Sequence, residues 1–288
     1  MPARFHIDLE LSPGTELTLP ANASRHVQVL RLQPGAPITL FDGRGGEWAA
    51  ELLDIGRKSV RVRLLTHAAL EREAGCQVTL APGMPANERM DALVEKATEL
   101  GVAMVVPLVC ERSVLRLAGE RADRKAAHWQ AIAVAACEQS GRNRVPTVNP
   151  PLALRHWLAA LAPHSPQAPE PSPKSRHALR LLLSLAPEAE PLAQVLLKRL
   201  AAAADADADA DARGCDITVL SGPEGGLSEA EMASALACGF VPVSLGPRVL
   251  RADTAPLAAL ALISALAAVT ATTGIAPTAT APTLTTAP

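Results

Sequence analysis

The sequence is poor in aromatic side chains, with no Tyr, three Phe and three Trp among its 288 residues. Proteins that bind RNA by stacking bases on exposed rings need several aromatic side chains on one surface. The composition therefore argues against a stacking-platform protein. Any RNA binding would have to rely on charged and polar groups.

Cysteines are also few and scattered. The five cysteines lie at positions 76, 110, 137, 215 and 238, without a C-x-x-C pair. An odd number at such spacings predicts reduced thiols in a cytoplasmic protein, with neither a disulfide framework nor a zinc site. No other His, Cys or Asp spacing is typical of a metal site, so we expect no bound metal.

The chain lacks a long hydrophobic run. Its most apolar stretch, residues 255–269, is 15 residues long, which is shorter than the ~20 residues that a membrane span requires. This stretch instead predicts a buried helix. The first eight residues, MPARFHID, contain no apolar segment of a signal peptide. We therefore expect no membrane partner.

The hydrophobic pattern changes near residue 72. Up to that point, short alternating runs separated by Gly- and Pro-containing turns predict a small β-barrel over residues 1–72. Strand–helix alternation then predicts an α/β domain over residues 73–270. Three biased segments lie outside this plan: a proline-rich insert at about 163–178, an Ala/Asp insert at about 201–213, and a tail at 271–288 that we expect to be disordered.

The pattern also predicts individual elements. In the first part, strands are expected at 16–19, 37–41, 48–53 and 60–65, with a short helix at 24–32. In the second part, strands are expected at 76–81, 102–109, 179–185, 216–220 and 240–245. Helices are expected at 87–100, capped by Asn87, and at 122–139, 191–204 and 255–269.

Two Gly/Pro loops follow predicted strands in the C-terminal part of the chain. Gly222–Gly226 precedes a helix whose start carries a capping box, Ser228 with Glu231, and Gly246–Pro247 precedes the last helix. Loops at the carboxyl ends of strands in open α/β sheets form ligand sites. The first loop matches neither a dinucleotide fingerprint nor a P-loop, and Glu224 at its centre would repel a phosphate. Each loop alone could be a simple tight turn.

Basic residues are concentrated between positions 112 and 144, although the net charge of the whole chain is −2. This region contains seven Arg or Lys against three acidic residues. It includes Arg142, Asn143 and Arg144 in a short loop, where two guanidiniums flank an amide. These groups suit phosphate and base-edge contacts, although a charged run can also be a solvated face.

Four separated motifs resemble the bacterial small-subunit rRNA uridine-N3 methyltransferases, a family of the knotted SPOUT class. They are RHVQVLRLQPG at 25–35, KATELGVAMVVPLVCERSV at 96–114, EQSGRNRVP at 138–146, and GPEGGLSEAE with GFVPVSLGPRVLRADTA between 222 and 255. Together they span most of the chain in the expected order. The resemblance implies a PUA-like RNA-binding barrel followed by an α/β methyltransferase domain with a trefoil knot.

The resemblance also implies a cofactor and partners. S-adenosylmethionine would lie bent in the knot, and the knot would form across a homodimer interface, which would suit an apolar last helix. The substrate would be 16S rRNA, naked or within the 30S subunit. The implied cofactor-binding residues are Leu220, Gly222, Pro223, Glu224, Gly225, Gly226, Leu245, Gly246, Val249, Leu250 and Thr254.

The implied reaction transfers a methyl group to N3 of uridine. Arg251 and Arg248 would stabilise charge on the uracil oxygens. Asp253, where the family commonly has Glu, would accept a proton or orient Arg251, or would simply cap the last helix with Thr254. The implied RNA contacts are Arg25, His26, Arg31, Arg112, Arg142, Asn143 and Arg144, and His26 could instead be a structural histidine.

Three other functions are compatible with parts of the pattern. A SPOUT enzyme could act on tRNA or large-subunit rRNA, including at a ribose 2′-hydroxyl. A non-catalytic RNA-binding assembly factor could retain the fold without binding the cofactor. A dinucleotide-dependent oxidoreductase is disfavoured because the G-x-G-x-x-G fingerprint is missing and Glu224 lies in the loop.

Overall fold

The computed structural model describes residues 2–86, 88–161, 178–205 and 215–273. Outside these ranges lie Asn87, most of both expected inserts, and the tail from residue 274 onward. The chain forms two compact units. One contains the residues up to Glu73 together with His128–Thr147, and the other contains Ala74–Ala127 and the residues from Val148 onward.

The first unit contains a five-stranded sheet. Its elements are β1 (Ala3–His6), β2 (Glu16–Thr18), α1 (Ala21–Val29), β3 (Pro37–Phe41), β4 (Glu47–Ile55) and β5 (Val60–Ala68). The strand order is β1-β3-β4-β5-β2, in which β1 pairs with β3 in parallel and the other pairs are antiparallel. Two register shifts between β4 and β5 indicate bulges, which bend a sheet as a closed barrel requires.

Alternation explains why these strands form. In β5, Val60, Val62 and Leu64 are fully buried, whereas Arg61 and Arg63 between them are exposed. The buried side chains of β5 pack with those of β1, β3 and β4 in one core. The strand β1 was not expected, because its four residues include two polar ones and only Phe5 is fully buried.

The second unit is built on a seven-stranded sheet with the order β12-β14-β11-β13-β6-β7-β9. Every strand pair with a recorded register in this sheet is parallel. The elements that complete the chain are β6 (Cys76–Pro82), α2 (Arg89–Glu99), β7 (Met104–Val105), β8 (Leu108–Val109), α3 (Glu120–Ser140), β9 (Thr147–Val148), β10 (Leu152–Ala153), α4 (Leu154–Leu161), β11 (Leu179–Leu183), β12 (Glu190–Pro191), α5 (Leu192–Asp205), β13 (Cys215–Ser221), α6 (Glu229–Ala237), β14 (Val241–Ser244) and α7 (Thr254–Thr273).

The observed elements differ from the expected ones in several places. The strand expected at 102–109 is two short strands, because Pro107 between them cannot donate to a ladder. The helix α4 was not expected. The last helix continues to Thr273, past the point where the tail was expected to begin. The helix α6 ends at a glycine: Gly239, just beyond the C-cap, has a φ of +81°, the left-handed conformation in which helices commonly end.

Candidate functional site

Two loops leave the same edge of the parallel sheet. The first follows β13 and the second follows β14, and both strands pair in parallel with β11. The two strands are therefore separated by one strand, or about 10 Å. Loops at the carboxyl edge of such a sheet are the usual place for a small ligand.

The first loop is a compact turn. The amide of Gly226 donates to the carbonyl of Pro223 at 2.8 Å, and Gly226 has a φ of +70°. A Cβ on Gly222 would lie 3.1 Å from backbone atoms of Gly226 and Leu227. The positive φ favours glycine at one end of the turn, and close backbone packing requires it at the other.

The helix that follows the first loop begins at the predicted capping box. The hydroxyl of Ser228 accepts from the amide of Glu231 at 3.3 Å, and the Glu231 carboxylate accepts from the Ser228 amide at 2.9 Å. The other oxygen of Glu231 accepts from the amide of Glu111 at 2.8 Å. One carboxylate thus caps α6 and also ties it to the loop after β8.

Glycines 83 and 225 are needed for packing against neighbouring loops. A Cβ on Gly83 would lie 2.6 Å from the Pro223 ring, and one on Gly225 would lie 3.0 Å from Cβ of Arg112. The Arg112 guanidinium also donates to the Gly225 carbonyl at 3.2 Å. Gly225 belongs to the expected cofactor-binding set, and the side chain that approaches its Cα within the protein is that of Arg112. Arg112 is therefore a brace of this loop.

Glu224 holds the first loop to the start of α2. Its Oε1 accepts from the Ala86 amide at 3.0 Å and from Arg89 Nη1 at 3.3 Å. A carboxylate at the centre of this loop suits a positively charged ligand or one with N–H donors. The donors that it meets belong to the protein itself, which leaves the backbone of the loop as its ligand-facing part.

The second loop carries the predicted catalytic arginines. Arg248 and Arg251 are exposed, and within the described ranges neither guanidinium has a hydrogen bond or ion pair. Val249 between them is 78% exposed. Gly246, with a φ of +102°, turns the chain out of β14. Two unpaired cations on one short loop are available for a partly negative ligand.

Two buried polar atoms near these loops have no protein partner among the described residues. They are Oγ of Ser221, at the end of β13, and Oδ1 of Asp253, just before α7. The amide of Thr254 donates to the Arg251 carbonyl at 3.0 Å, so the expected side-chain cap by Asp253 is not formed. Buried polar groups are normally hydrogen-bonded, and a polar ligand at this edge would satisfy both atoms.

Predicted hydrophobic cofactor contacts differ in their accessibility. Leu220 is fully buried in the sheet, whereas Leu245 and Leu250 are half-buried. Leu220 can therefore pack beneath the ligand site but can offer a ligand little contact surface. Leu245 and Leu250 belong to the second loop and can offer an apolar surface to a ligand.

In the first unit, Arg142 and Asn143 lie in the interior. Arg142 is 5% exposed and forms two hydrogen bonds to Glu73, from Nε at 3.0 Å and from Nη2 at 2.6 Å. Asn143 is fully buried, accepts from Arg4 at 2.5 Å and donates to the Leu70 carbonyl at 2.6 Å. This placement differs from the expected phosphate contacts, because both side chains are occupied by protein partners away from solvent.

The acidic partners of this loop were not predicted from the sequence. Arg144 pairs with Glu71 at 3.1 Å, and Glu47 accepts from Arg4 at 2.6 Å and from Arg72 at 2.9 Å. A possible signal was present in the sequence: Glu71-Arg72-Glu73 has the alternating charge complementary to that of residues 142–144. Nothing in the spacing showed that segments about 70 residues apart would meet.

These ion pairs shift the acidity of Glu47. Partial burial acts to raise the pKa of its carboxyl, but hydrogen bonds from Arg72 and Arg4 outweigh it and lower the pKa to about 2. The group is therefore a permanent anion at neutral pH.

The other expected RNA-contacting residues lie on α1 and just after it. Arg25 and Arg31 are exposed, and neither has an ion pair within the part of the chain that the structure describes. His26 has features of both expected roles, structural histidine and RNA contact. Its Nδ1 is 3.3 Å from Glu138 Oε2, and 44% of its side chain is exposed. Its ring also meets Phe5 edge-on at 5.2 Å.

Neither a metal site nor a helix able to span a membrane is found in the described ranges. No group of three His, Cys, Asp or Glu side chains there is arranged to hold a metal ion. Of the helices in those ranges, none combines the length and the apolar character that crossing a bilayer requires.

Comparison with protein families gives two matches. Residues 72–264 match the model of an RNA methyltransferase domain. Residues 19–65 match the model of an RNA methyltransferase PUA domain. Together the two models account for most of the chain.

Individual relatives agree with these models. The ribosomal RNA small subunit methyltransferase E of Synechocystis is 34% identical over 82% of this chain and 68% of its own length. That of Bacillus subtilis is 30% identical over 82% and 84%. Among solved structures, the enzyme of the same name from Neisseria gonorrhoeae, bound to S-adenosylmethionine, is 33% identical with a TM-score of 0.75 over 92% of this chain and 98% of its own. A Legionella pneumophila structure with the same bound cofactor is 31% identical, with a TM-score of 0.77 over 92% and 98%.

Proposed function

Because the chain belongs to the ribosomal RNA small subunit methyltransferase E family, we propose that it methylates N3 of one uridine in 16S rRNA with S-adenosylmethionine as methyl donor. The observation that carries the proposal is the site at the sheet edge. There, two tight loops, two unpaired guanidiniums and two unpartnered polar atoms follow the carboxyl ends of parallel strands, and related structures were solved with S-adenosylmethionine bound.

We assign the methyltransferase reaction to residues 73–270 and RNA binding to the barrel of residues 1–72. The substrate is 16S rRNA, naked or in the 30S subunit. A ribosomal RNA substrate implies that the protein works in the cytoplasm.

The residues of the two loops suit S-adenosylmethionine. Its adenine would be held by backbone groups of the turn and by the half-buried Leu245 and Leu250, while the unpartnered hydroxyl of Ser221 is available to a polar part of the cofactor. The proposed cofactor-binding set is Leu220, Gly222, Pro223, Glu224, Gly225, Gly226, Leu245, Gly246, Val249, Leu250 and Thr254. Glu224 takes part through its backbone, since its carboxylate is bound to Ala86 and Arg89.

The protein must turn a weak nucleophile into a good one. When bound, S-adenosylmethionine supplies a methyl group that its sulfonium activates. Uridine N3 carries an acidic imide proton, and the nitrogen attacks only once that proton has left. Asp253, whose Oδ1 has no partner, would accept the proton, and Arg251 and Arg248 would stabilise the negative charge that spreads to the uracil oxygens.

A homodimer is part of the proposal. The helix α7 contains no charged residue from Thr254 to Thr273. Its Ala259, Leu260 and Ile263 are buried within the chain, whereas Leu257 and Leu262 remain only partly covered. An apolar helix that is uncharged on every side suits burial against a second copy. Sedimentation equilibrium would test this by giving twice the chain mass.

The test is to incubate the purified protein with methyl-labelled S-adenosylmethionine and either naked 16S rRNA or 30S subunits, and to map the product by nuclease digestion and mass spectrometry. We expect one methyl on one uracil base. Because N3 lies on the Watson–Crick edge, reverse transcription should stop at that uridine. Methylation of a ribose hydroxyl, or of tRNA alone, would contradict the proposal, as would a protein that does not bind the cofactor in calorimetry.

A further inference from the structure

The first unit carries a cluster of four basic side chains that its own acidic residues do not neutralise. Arg25 lies on α1, Arg31 follows that helix, and Arg57 and Lys58 form the tip of the hairpin between β4 and β5. All four are exposed, and within the described ranges none has a hydrogen bond or ion pair from its charged group. We refer to these four residues as the α1–hairpin cluster.

A side-chain hydrogen bond holds the two parts of the cluster together. The amide of Gln28 on α1 donates to the carbonyl of Gly56 at the start of the hairpin tip, at 2.8 Å. Gln28 is three residues after Arg25, and residues at this spacing share one helix face. The backbone carbonyl of Gln28 accepts from the backbone amide of Arg31 at 3.0 Å. Gln28 therefore joins the helix segment that carries Arg25 and Arg31 to the hairpin that carries Arg57 and Lys58.

The hairpin tip is a rigid support for its two cations. Ile55 pairs with Val60 across the ladder, and the Gly56 amide donates to the Ser59 carbonyl at 2.8 Å. Arg57 and Lys58 occupy the two central positions of this closed turn, where their side chains must project into solvent. The nearest acid in sequence, Asp54, lies opposite Arg61 in the ladder.

Arg31 has an unusual backbone conformation, which indicates that its side chain is needed at this position. Its φ is +54°, and it is the single non-glycine residue with positive φ in the described part of the chain. Arginine adopts this region at an energetic cost, whereas Gly or Asn would adopt it readily. Such outliers are retained where the side chain has a function.

We propose that the α1–hairpin cluster is the surface that binds the phosphodiester backbone of the RNA substrate, and that Arg57 and Lys58 contact phosphates directly. This inference rests on the proposed function for the identity of the RNA. Three guanidiniums and an ammonium on a hairpin and a neighbouring helix contact phosphates without reading bases. With Arg142 and Asn143 buried, the cluster replaces them as the main site of electrostatic contact in this unit.

The experiment compares the wild type with Arg57→Ser/Lys58→Ser by fluorescence anisotropy, using labelled 16S rRNA fragments between 50 and 200 mM salt. Losing two phosphate contacts should reduce the log–log salt slope by about 1.4 for single-stranded and about 1.8 for duplex RNA. Over this fourfold salt range, wild-type affinity should therefore fall about 7- to 12-fold more than that of the variant. Arg31→Asn, which suits the same backbone, should reduce the slope by about half as much.

The matched control is Arg61→Ser/Arg63→Ser on the same sheet. It removes the same net charge, but both guanidiniums already pair with Glu16 at 2.7 Å. We expect its salt slope to stay at the wild-type value, which separates local contact from a general loss of charge. An equal loss in both double variants would overturn the proposal.

An unrelated RNA of equal length distinguishes backbone binding from base reading. The hairpin variant should lose the same factor on both RNAs, so that the preference for 16S rRNA is unchanged. A loss confined to 16S rRNA would overturn the assignment to phosphates. If the wild type binds RNA through this cluster but transfers no methyl group, the proposed function is wrong and the assignment of RNA binding to the cluster is correct. If methyl transfer occurs and the hairpin variant binds RNA like the control, the assignment of RNA binding to the cluster is wrong and the proposed function is unaffected.

Discussion

Replacing Arg142 with Ala should destabilise the protein rather than lower its affinity for RNA. Arg142 is 5% exposed, and its two hydrogen bonds to Glu73 are 2.6 and 3.0 Å long. Only 15% of the Glu73 side chain is exposed. Removing the guanidinium would leave a carboxylate that water can hardly reach, and this unpaired charge is the main cost.

The loss should be about 3 kcal/mol, at the lower end of the ~3–5 kcal/mol typical of breaking a buried ion pair, because Glu73 keeps some contact with water. For a chain of this size, the midpoint of thermal unfolding should fall by about 6–12 °C. Urea titration followed by circular dichroism would measure the free energy of unfolding. Replacing both partners, Arg142→Met with Glu73→Met, should recover part of the loss because no buried charge remains.

Arg144→Ala provides the matched control from the same loop. About 52% of the Arg144 side chain is exposed, and its ion pair with Glu71 lies at the surface, so its loss should cost less than ~1 kcal/mol. The reasoning is refuted if Arg142→Ala unfolds at the same urea concentration as the wild type while the salt dependence of RNA binding becomes shallower. In that case Arg142 would contact phosphate, as its position in a basic loop first indicated.

Three further outcomes are expected. Gly225→Ala should weaken S-adenosylmethionine binding in calorimetry, since its Cβ would lie 3.0 Å from a neighbouring side chain, whereas Gly75→Ala, with open space around it, should not. Glu47→Gln should lower the free energy of unfolding by about 3 kcal/mol at pH 7. The reason is that the pKa of Glu47 is about 2 in the folded state against 4.5 for a free carboxyl, so its ionisation stabilises the fold above pH 4.5. The difference from wild type should vanish as the pH falls from 4.5 to 2. Arg251→Ala should slow methyl transfer by about 10²–10³-fold with little change in stability, and Asp253→Asn should be inactive if this carboxylate accepts the N3 proton.

Each of these outcomes has a contrary result. Equal cofactor affinity in both glycine variants would mean that the loop tolerates displacement and is not a tight support. A Glu47→Gln deficit that persists at pH 2 would show that the ionised carboxylate is not its source. Near-normal methyl transfer by Asp253→Asn would leave this residue without a chemical role, and normal transfer by Arg251→Ala as well would place the catalytic groups elsewhere.

The fold class expected from the sequence is confirmed: an α/β SPOUT-type methyltransferase domain preceded by a PUA-like barrel. Local patterns were sufficient because each element carries its own signal. The alternation in Val60–Leu64 and the capping box at Ser228 both depend on residues that are close in the chain. Elements without such a signal were missed, as with Ala3–His6, whose burial depends on pairing with Pro37–Phe41.

The site was less predictable than the fold. The sequence marked both loops, and they do leave one sheet edge, because parallel strands align their carboxyl ends. The orientation of individual side chains within them was not predictable. Glu224 faces Ala86 and Arg89, and Gly225 faces Arg112. Each of these contacts joins segments more than 100 residues apart.

Composition and short-range pattern thus established the order of the elements, the position of the two loops and the family of the chain, since all three depend on residue types at fixed local spacing. Tertiary structure alone decided which arginines are available to a ligand. Arg142 and Arg57 are both arginines in short polar loops, yet folding brings Glu73 against the first and leaves the second at a hairpin tip in solvent. The reason is physical: a guanidinium that has exchanged water for a buried carboxylate is not accessible to phosphate, and only the folded chain determines which carboxylate meets which guanidinium.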